Sequence, residues 1–166
     1  MSIFEIGFSG GHFLEWLYDN GYRNLHGIEI RTKQYLETKE NFRKKGLDCI
    51  ELLNGDVLEH DIRYDAAYCT GLIQCLDITK RKVFLNHVSK LSNLVVYTVP
   101  RIDVARNLNS NVSVAVSGCP EYPTGNIPYE LSQLYESVRV GMISKSKTGL
   151  DDDFIYYICK KSLQIV

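Results

Sequence analysis

The chain has 166 residues, 45% of them hydrophobic and 23% charged, with a formal net charge of −1. That length suffices for the core of one domain, and a near-neutral balance without a basic block speaks against nucleic acid held mainly through phosphate contacts. No apolar stretch approaches the ~20 residues of a membrane span, and no basic segment precedes the first apolar run, so neither a membrane helix nor a signal peptide is expected.

The chain opens on a short apolar run, Ile3-Phe4-Glu5-Ile6, that carries one acid and breaks into a glycine-rich turn, Gly7-Phe8-Ser9-Gly10-Gly11. Helical spacing of Phe13, Leu14, Trp16 and Leu17 predicts a helix from about Gly11 to Asn20 with those four residues on its buried face, and Asn20-Gly21 ends it. A second strand is expected over Asn24 to Glu29. A charged helix follows over roughly Thr32 to Lys45 with Tyr35, Leu36 and Phe42 inward, its last turn holding the cations that suit a helix C-terminus. Cys49 to Leu53 reads as a third strand and Asn54-Gly55-Asp56 as a turn. Ala66 to Cys69 reads as a fourth strand, about Thr79 to Leu91 as a helix with Val83, Phe84, His87, Val88 and Leu91 inward, and Leu94 to Thr98 as a fifth strand stopped at Pro100.

Strands that alternate with helices predict a parallel sheet with helices on both faces. The alternation then stops. Residues 101 to 128 are rich in Pro, Asn, Ser and Gly, the composition of a long functional loop. A short helix from Tyr129 to Glu136 precedes two β-rich runs, Val138 to Ser144 and Phe154 to Lys160, that flank a polar turn and read as an antiparallel hairpin. The five cysteines, Cys49, Cys69, Cys75, Cys119 and Cys159, are irregularly spaced with no C-x-x-C. They are expected to be reduced thiols of a cytoplasmic protein, not a zinc site.

A glycine-rich strand-to-helix turn leaves backbone N–H groups free to hold an anion. Eighteen residues after Gly11 the second strand ends in Glu29. Such a turn, with an acid about 20 residues on, is the nucleoside-binding half of a Rossmann-type unit.

The terminal hairpin departs from nicotinamide dehydrogenases and resembles the class I S-adenosylmethionine-dependent methyltransferases, over about residues 2 to 160. Glu5-Ile6-Gly7-Phe8-Ser9-Gly10-Gly11 resembles that family's first motif and Gly27-Ile28-Glu29-Ile30 its second. Asn54-Gly55-Asp56-Val57 resembles the third, and Tyr64-Asp65-Ala66-Ala67-Tyr68-Cys69-Thr70-Gly71-Leu72-Ile73 the fourth. Two departures stand out. Ser9 takes the place of the middle glycine, which makes the turn less permissive. Strand one begins almost at Met1, where most members have covering helices. The resemblance implies a three-layer Rossmann-like α/β sandwich whose mostly parallel seven-stranded sheet ends in an antiparallel C-terminal hairpin. Residues 1–166 would then be one S-adenosyl-L-methionine-binding domain with a lid or substrate loop at about 101–128.

By the same resemblance, Gly7, Ser9 and Gly11 approach the methionine end of the cofactor, with Glu5 beneath its ammonium. Glu29 accepts from the ribose hydroxyls, Asp56 and Val57 meet the adenine, and Ile30, Thr70 and Leu72 line the site. The plain alternatives are a sheet-end carboxylate for Glu5, a solvated strand end for Glu29, a turn residue for Asp56, and core packing for Ile30 and Leu72. Methyl transfer needs positioning and exclusion of water more than a base. His12, past the glycine turn, and Gln74, past strand four, are candidate catalytic groups. Arg101 and Tyr122 are the candidates on the long loop, Arg101 as a partner for an anionic substrate. His26, His60 and His87 read as structural. The function expected is methyl transfer to a small-molecule acceptor, without nucleic acid or membrane partners and with a homodimer left open. A catalytically degenerate subunit of the same fold is the alternative. A nicotinamide oxidoreductase is disfavoured by Glu5 and the hairpin.

Overall fold

The computed structural model describes residues 1–100, 113–114, 120–121, 126–143 and 154–161. In chain order the elements are β1 (Ile3–Ile6), α1 (His12–Asp19), β2 (Leu25–Glu29), α2 (Thr32–Lys44), β3 (Glu51–Asn54), β4 (Ala66–Thr70), α3 (Ile78–Leu91) and β5 (Leu94–Pro100). There follow β6 (Ser113–Val114), β7 (Pro120–Glu121), α4 (Ile127–Ser132), β8 (Ser137–Ile143) and β9 (Phe154–Lys160). Seven strands form one sheet in the order β3-β2-β1-β4-β5-β9-β8. β1 to β5 pair parallel, and β9 runs antiparallel to both β5 and β8. A separate two-stranded ladder pairs Ser113 with Glu121 and Val114 with Pro120.

All four residues of β1 are buried, as expected of a central parallel strand covered on both faces. Its side chains alternate between two cores. Phe4 and Ile6 join Phe84, Leu85, Val88 and Leu91 of α3, with Val95, Tyr97 and Tyr157, on one side. Ile3 and, past the strand end, Phe8 join Leu14 and Leu17 of α1 and Phe42 of α2 on the other. From β1 the chain steps to β2 and β3 on one side and then returns to β4 on the other. The reversal falls at the carboxyl ends of β1 and β4, the place where open α/β sheets bind ligands.

Three residues expected inside are exposed: Trp16 (55% accessible), Leu36 and Val83. The short α1 meets the sheet through Leu14 and Leu17, leaving Phe13 and Trp16 on its flank, where Phe13 packs on Tyr68 at 3.9 Å between ring centroids. On α2, Thr38 rather than Leu36 shares the buried face with Phe42, and its hydroxyl donates to the Ser9 carbonyl at 2.6 Å. On α3 the inward arc is completed by Arg81 and Ser89 rather than Val83. The last helix, expected over Tyr129 to Glu136, begins and ends earlier, at Ile127–Ser132, with a proline in its first turn where a missing N–H costs nothing.

Candidate functional site

The glycine-rich turn that follows β1 holds three residues with positive φ: Gly7 at 74°, Ser9 at 47° and Gly11 at 71°. At Gly11 a Cβ would come within 2.6 Å of the Phe42 ring, so space as well as conformation requires that glycine; at Gly7, where a Cβ would meet only the end of Leu72 at 3.0 Å, the positive φ is the main requirement. Ser9 is the only described non-glycine residue with positive φ. Two bonds hold it there: its N–H donates to Glu29 Oε2 at 3.1 Å, and its carbonyl accepts from Thr38. The turn also spends the Gly7 N–H on the Ile28 carbonyl and the Gly11 N–H on the Phe8 carbonyl. The N–H groups of Gly7, Ser9 and Gly11, expected to face the cofactor, are therefore engaged within the protein.

Glu5 lies beneath this turn, 2% accessible, and its Oε2 has no hydrogen-bond partner. Burial pushes its pKa up to about 8. The Leu14 N–H works against that rise, and the charge of Glu29 adds to it. Gly11 offers α1 no side-chain cap, and Glu5 lies near the Leu14 N–H in the first turn of that helix. Glu29, at the end of β2, is equally buried. Burial works to raise its pKa, but the Arg31 side chain and the N–H groups of Arg31 and Ser9 outweigh it, so the carboxyl sits below its ordinary value. Glu29 Oε1 accepts from the Arg31 N–H at 2.9 Å and from Arg31 Nε at 3.1 Å, while Arg31 Nη2 reaches Oε2 at 3.4 Å. Arg31 belongs to none of the four motifs; a cation two residues past the strand-end acid is its only mark in the sequence.

The end of β3 is fastened to β2 by the Gly55 N–H and the Asn54 side-chain amide, both donating to the Glu29 carbonyl. Asp56 then caps a single 3-10 turn, Val57–Glu59, its Oδ1 accepting from the Leu58 N–H at 2.9 Å. Val57 is buried in the core, whereas Ile30, after β2, is 62% accessible with its apolar side chain offered outward. Leu72 is half-buried against the core under Gly7. At the ends of β4 and β5 the hydroxyls of Thr70 and Thr98 form a hydrogen bond. Gln74, in the 3-10 turn after β4, is 4% accessible, and its Oε1 has no partner. Glu5 and Gln74 hold the two unpartnered buried side-chain oxygens among the described residues.

His12 is exposed at the start of α1, its ring beside Gly10. Arg101 and Tyr122, and most of the expected lid at 101–128, lie outside the described residues. The other histidines bond to neighbours: His26 to Glu51 and Asn24, His60 to the Tyr64 hydroxyl, and His87 to the His60 carbonyl. A hollow of about 230 Å³ lined by Lys39, Phe42, Leu47 and Glu51 opens at the start of β3, the opposite end of the sheet from these groups. It contains neither unpartnered oxygen, whereas Glu5 on β1 and Gln74 just after β4 belong to the neighbouring strands at the topological reversal, which is the stronger candidate. Among the described residues no group of three or more His, Cys, Asp or Glu is placed to hold a metal, and no helix is long and apolar enough to cross a membrane.

Magnesium protoporphyrin IX methyltransferase from Synechocystis PCC 6803, solved with S-adenosylmethionine bound, matches over 98% of this chain and 70% of its own, with a TM-score of 0.71 and 14% identity. Phosphoethanolamine N-methyltransferase 2 of Haemonchus contortus, solved with phosphomonomethylethanolamine and S-adenosylhomocysteine, matches over 98% of this chain and 49% of its own, with a TM-score of 0.72 and 12% identity. This chain has the class I methyltransferase fold. No protein-family model matches the sequence, and no curated protein matches it either. The methyltransferase fold does not by itself fix the reaction, since the [4+2]-cyclase SpnF matches with a TM-score of 0.72 at 9% identity. Within that fold this chain holds two buried acids, Glu5 and Glu29, the second of which accepts from Ser9 of the glycine-rich turn.

Proposed function

We propose that this chain binds S-adenosylmethionine at the carboxyl ends of β1, β2 and β4 and transfers its methyl group to a small-molecule acceptor. The observation that carries the reading is the buried Glu5 carboxyl with its unpartnered oxygen beneath the glycine-rich turn. A buried polar group without a partner costs ~1–3 kcal/mol, and more if charged, so its retention calls for a ligand that completes it. An ammonium meets that need and stabilises the ionised form. Glu29 supplies the acceptor for ribose hydroxyls, Ile30 and Leu72 supply apolar faces for a flat base, and Asp56 stands at the adenine edge. Gln74 offers its carbonyl oxygen to an N–H or O–H of the acceptor. When bound, S-adenosylmethionine supplies a methyl group on a sulfonium, which leaves the protein the tasks of alignment and exclusion of water.

Calorimetry with purified protein is expected to give micromolar binding of S-adenosylmethionine and S-adenosylhomocysteine, about −8 kcal/mol. No heat and no thermal shift with either ligand overturns the reading. Tight binding without transfer to any member of an acceptor panel would instead favour a cofactor-binding subunit that has lost catalysis.

A further inference from the structure

A carboxylate offers about four lone-pair positions on its two oxygens. At Glu29 four donors already occupy them. Two belong to the backbone: the Arg31 N–H at 2.9 Å on Oε1 and the Ser9 N–H at 3.1 Å on Oε2. The other two belong to the Arg31 guanidinium, Nε at 3.1 Å on Oε1 and Nη2 at 3.4 Å on Oε2. The backbone donors are built in. Ser9 is held in its left-handed conformation between Thr38 and Glu29, and the Arg31 N–H lies two residues along the same chain. The guanidinium is carried on a side chain 57% accessible to water, which can turn outward where the backbone donors cannot, whereas the Glu29 side chain is 3% accessible.

From this we infer that Arg31 is a displaceable latch on the nucleoside site, one that competes with the ribose of an incoming nucleoside for Glu29. The inference rests on the proposed cofactor reading and adds a regulatory step to it. A ribose that donates its hydroxyls to Glu29 needs the two positions the guanidinium holds, because the backbone donors stay with the turn. Cofactor entry therefore costs the Arg31–Glu29 ion pair, and the apparent affinity is the intrinsic one reduced by the fraction of molecules in which the latch is closed. A closed latch also keeps Glu29 ionised and neutralised while the site is empty, which prevents an uncompensated buried charge. A partly exposed ion pair is weak and screened by salt, so the latch yields readily and more salt loosens it.

The test is calorimetry of S-adenosylhomocysteine with the wild-type chain, Arg31→Ala and Arg31→Gln, each at low and high salt. Both variants are expected to bind roughly two- to fivefold more tightly than wild type, the range such an ion pair supports. Wild-type affinity is expected to rise with salt, and that of the variants to stay level. As a readout on the unaltered protein, the Arg31 Nε–H resonance is expected to move and lose its exchange protection when S-adenosylhomocysteine saturates the site. Equal or weaker binding by both variants, or an Arg31 resonance unchanged at saturation, overturns the latch while leaving the cofactor reading intact. Absence of heat with all three proteins overturns the cofactor reading and the latch together.

Discussion

A carboxyl that gives up water for a protein interior keeps its proton unless something replaces the water, and Glu5 is in that position. With its pKa pushed up to about 8 by burial, the folded chain holds a proton on Glu5 between pH 4.5 and 8 that the unfolded chain has released. The stability this proton contributes is full below pH 4.5, declines as pH rises through that window and is gone above 8. Glu5→Gln keeps the shape and the acceptor for Leu14 but cannot ionise. It should match wild type in stability near pH 5 and exceed it at pH 9, by at most about 5 kcal/mol at ~1.4 kcal/mol per pKa unit, with a correspondingly higher melting temperature. The same variant should weaken S-adenosylhomocysteine binding by about tenfold at pH 8, because an amide does not balance an ammonium. Thermal melts at the two pH values and calorimetry check both, and a variant that melts like wild type at pH 9 removes the case for a buried, proton-holding Glu5. The placement of Glu5 and Glu29 beside the turn was legible in the sequence because it depends on spacing from the glycines. Arg31 was not, because its role depends on which way an exposed side chain turns.

The same contrast governs the elements. Strand and helix positions followed from apolar period and from turn residues. The side a helix turns inward was misread wherever a polar residue took a core position. Arg81 is such a residue: it sits on the inner face of α3, and its Nε and Nη2 donate to the two oxygens of Glu130 on α4 at 2.8 and 2.9 Å. The partner lies 49 residues away, so no local pattern reveals that Arg81 points inward and Val83 outward. Both side chains are almost fully buried, and this pair fastens the six-residue α4, too short to be stable alone, to α3. Arg81→Met should cost about 3–5 kcal/mol in chemical denaturation, because it strands a buried carboxylate. Combining it with Glu130→Met should recover most of that loss. A single variant as stable as wild type would mean the pair contributes nothing to the docking of α4.

At the scale of the molecule, the parallel half of the sheet was readable because strands buried on both faces are continuous apolar runs, and the hairpin because two β-rich runs flank a polar turn. The seam between the halves was not, since nothing local in Leu94 to Pro100 names Phe154 to Lys160 as its neighbour. Cysteines happen to report on each side of that seam. Cys69 lies on β4, between β1 and β5, and Cys159 on β9, between β5 and β8; both are fully buried, while Cys49 is exposed. Burial pushes the Cys159 thiol up to about 12 and the Cys69 thiol higher still. Neither is nucleophilic until the sheet opens around it. The two strands share β5 as a neighbour, and Tyr97 of β5 and Tyr157 of β9 belong to the same core as Cys69 and Cys159. Opening one side should therefore expose the other. Thiol labelling over a denaturant series, read by mass spectrometry of peptides, should find Cys49 reactive in the native state. Cys69 and Cys159 should become reactive together, with equal opening free energies and equal denaturant slopes. If Cys159 reacts at lower denaturant than Cys69, the hairpin unfolds as a unit of its own, and the seam at β5 divides two cooperative parts of one sheet.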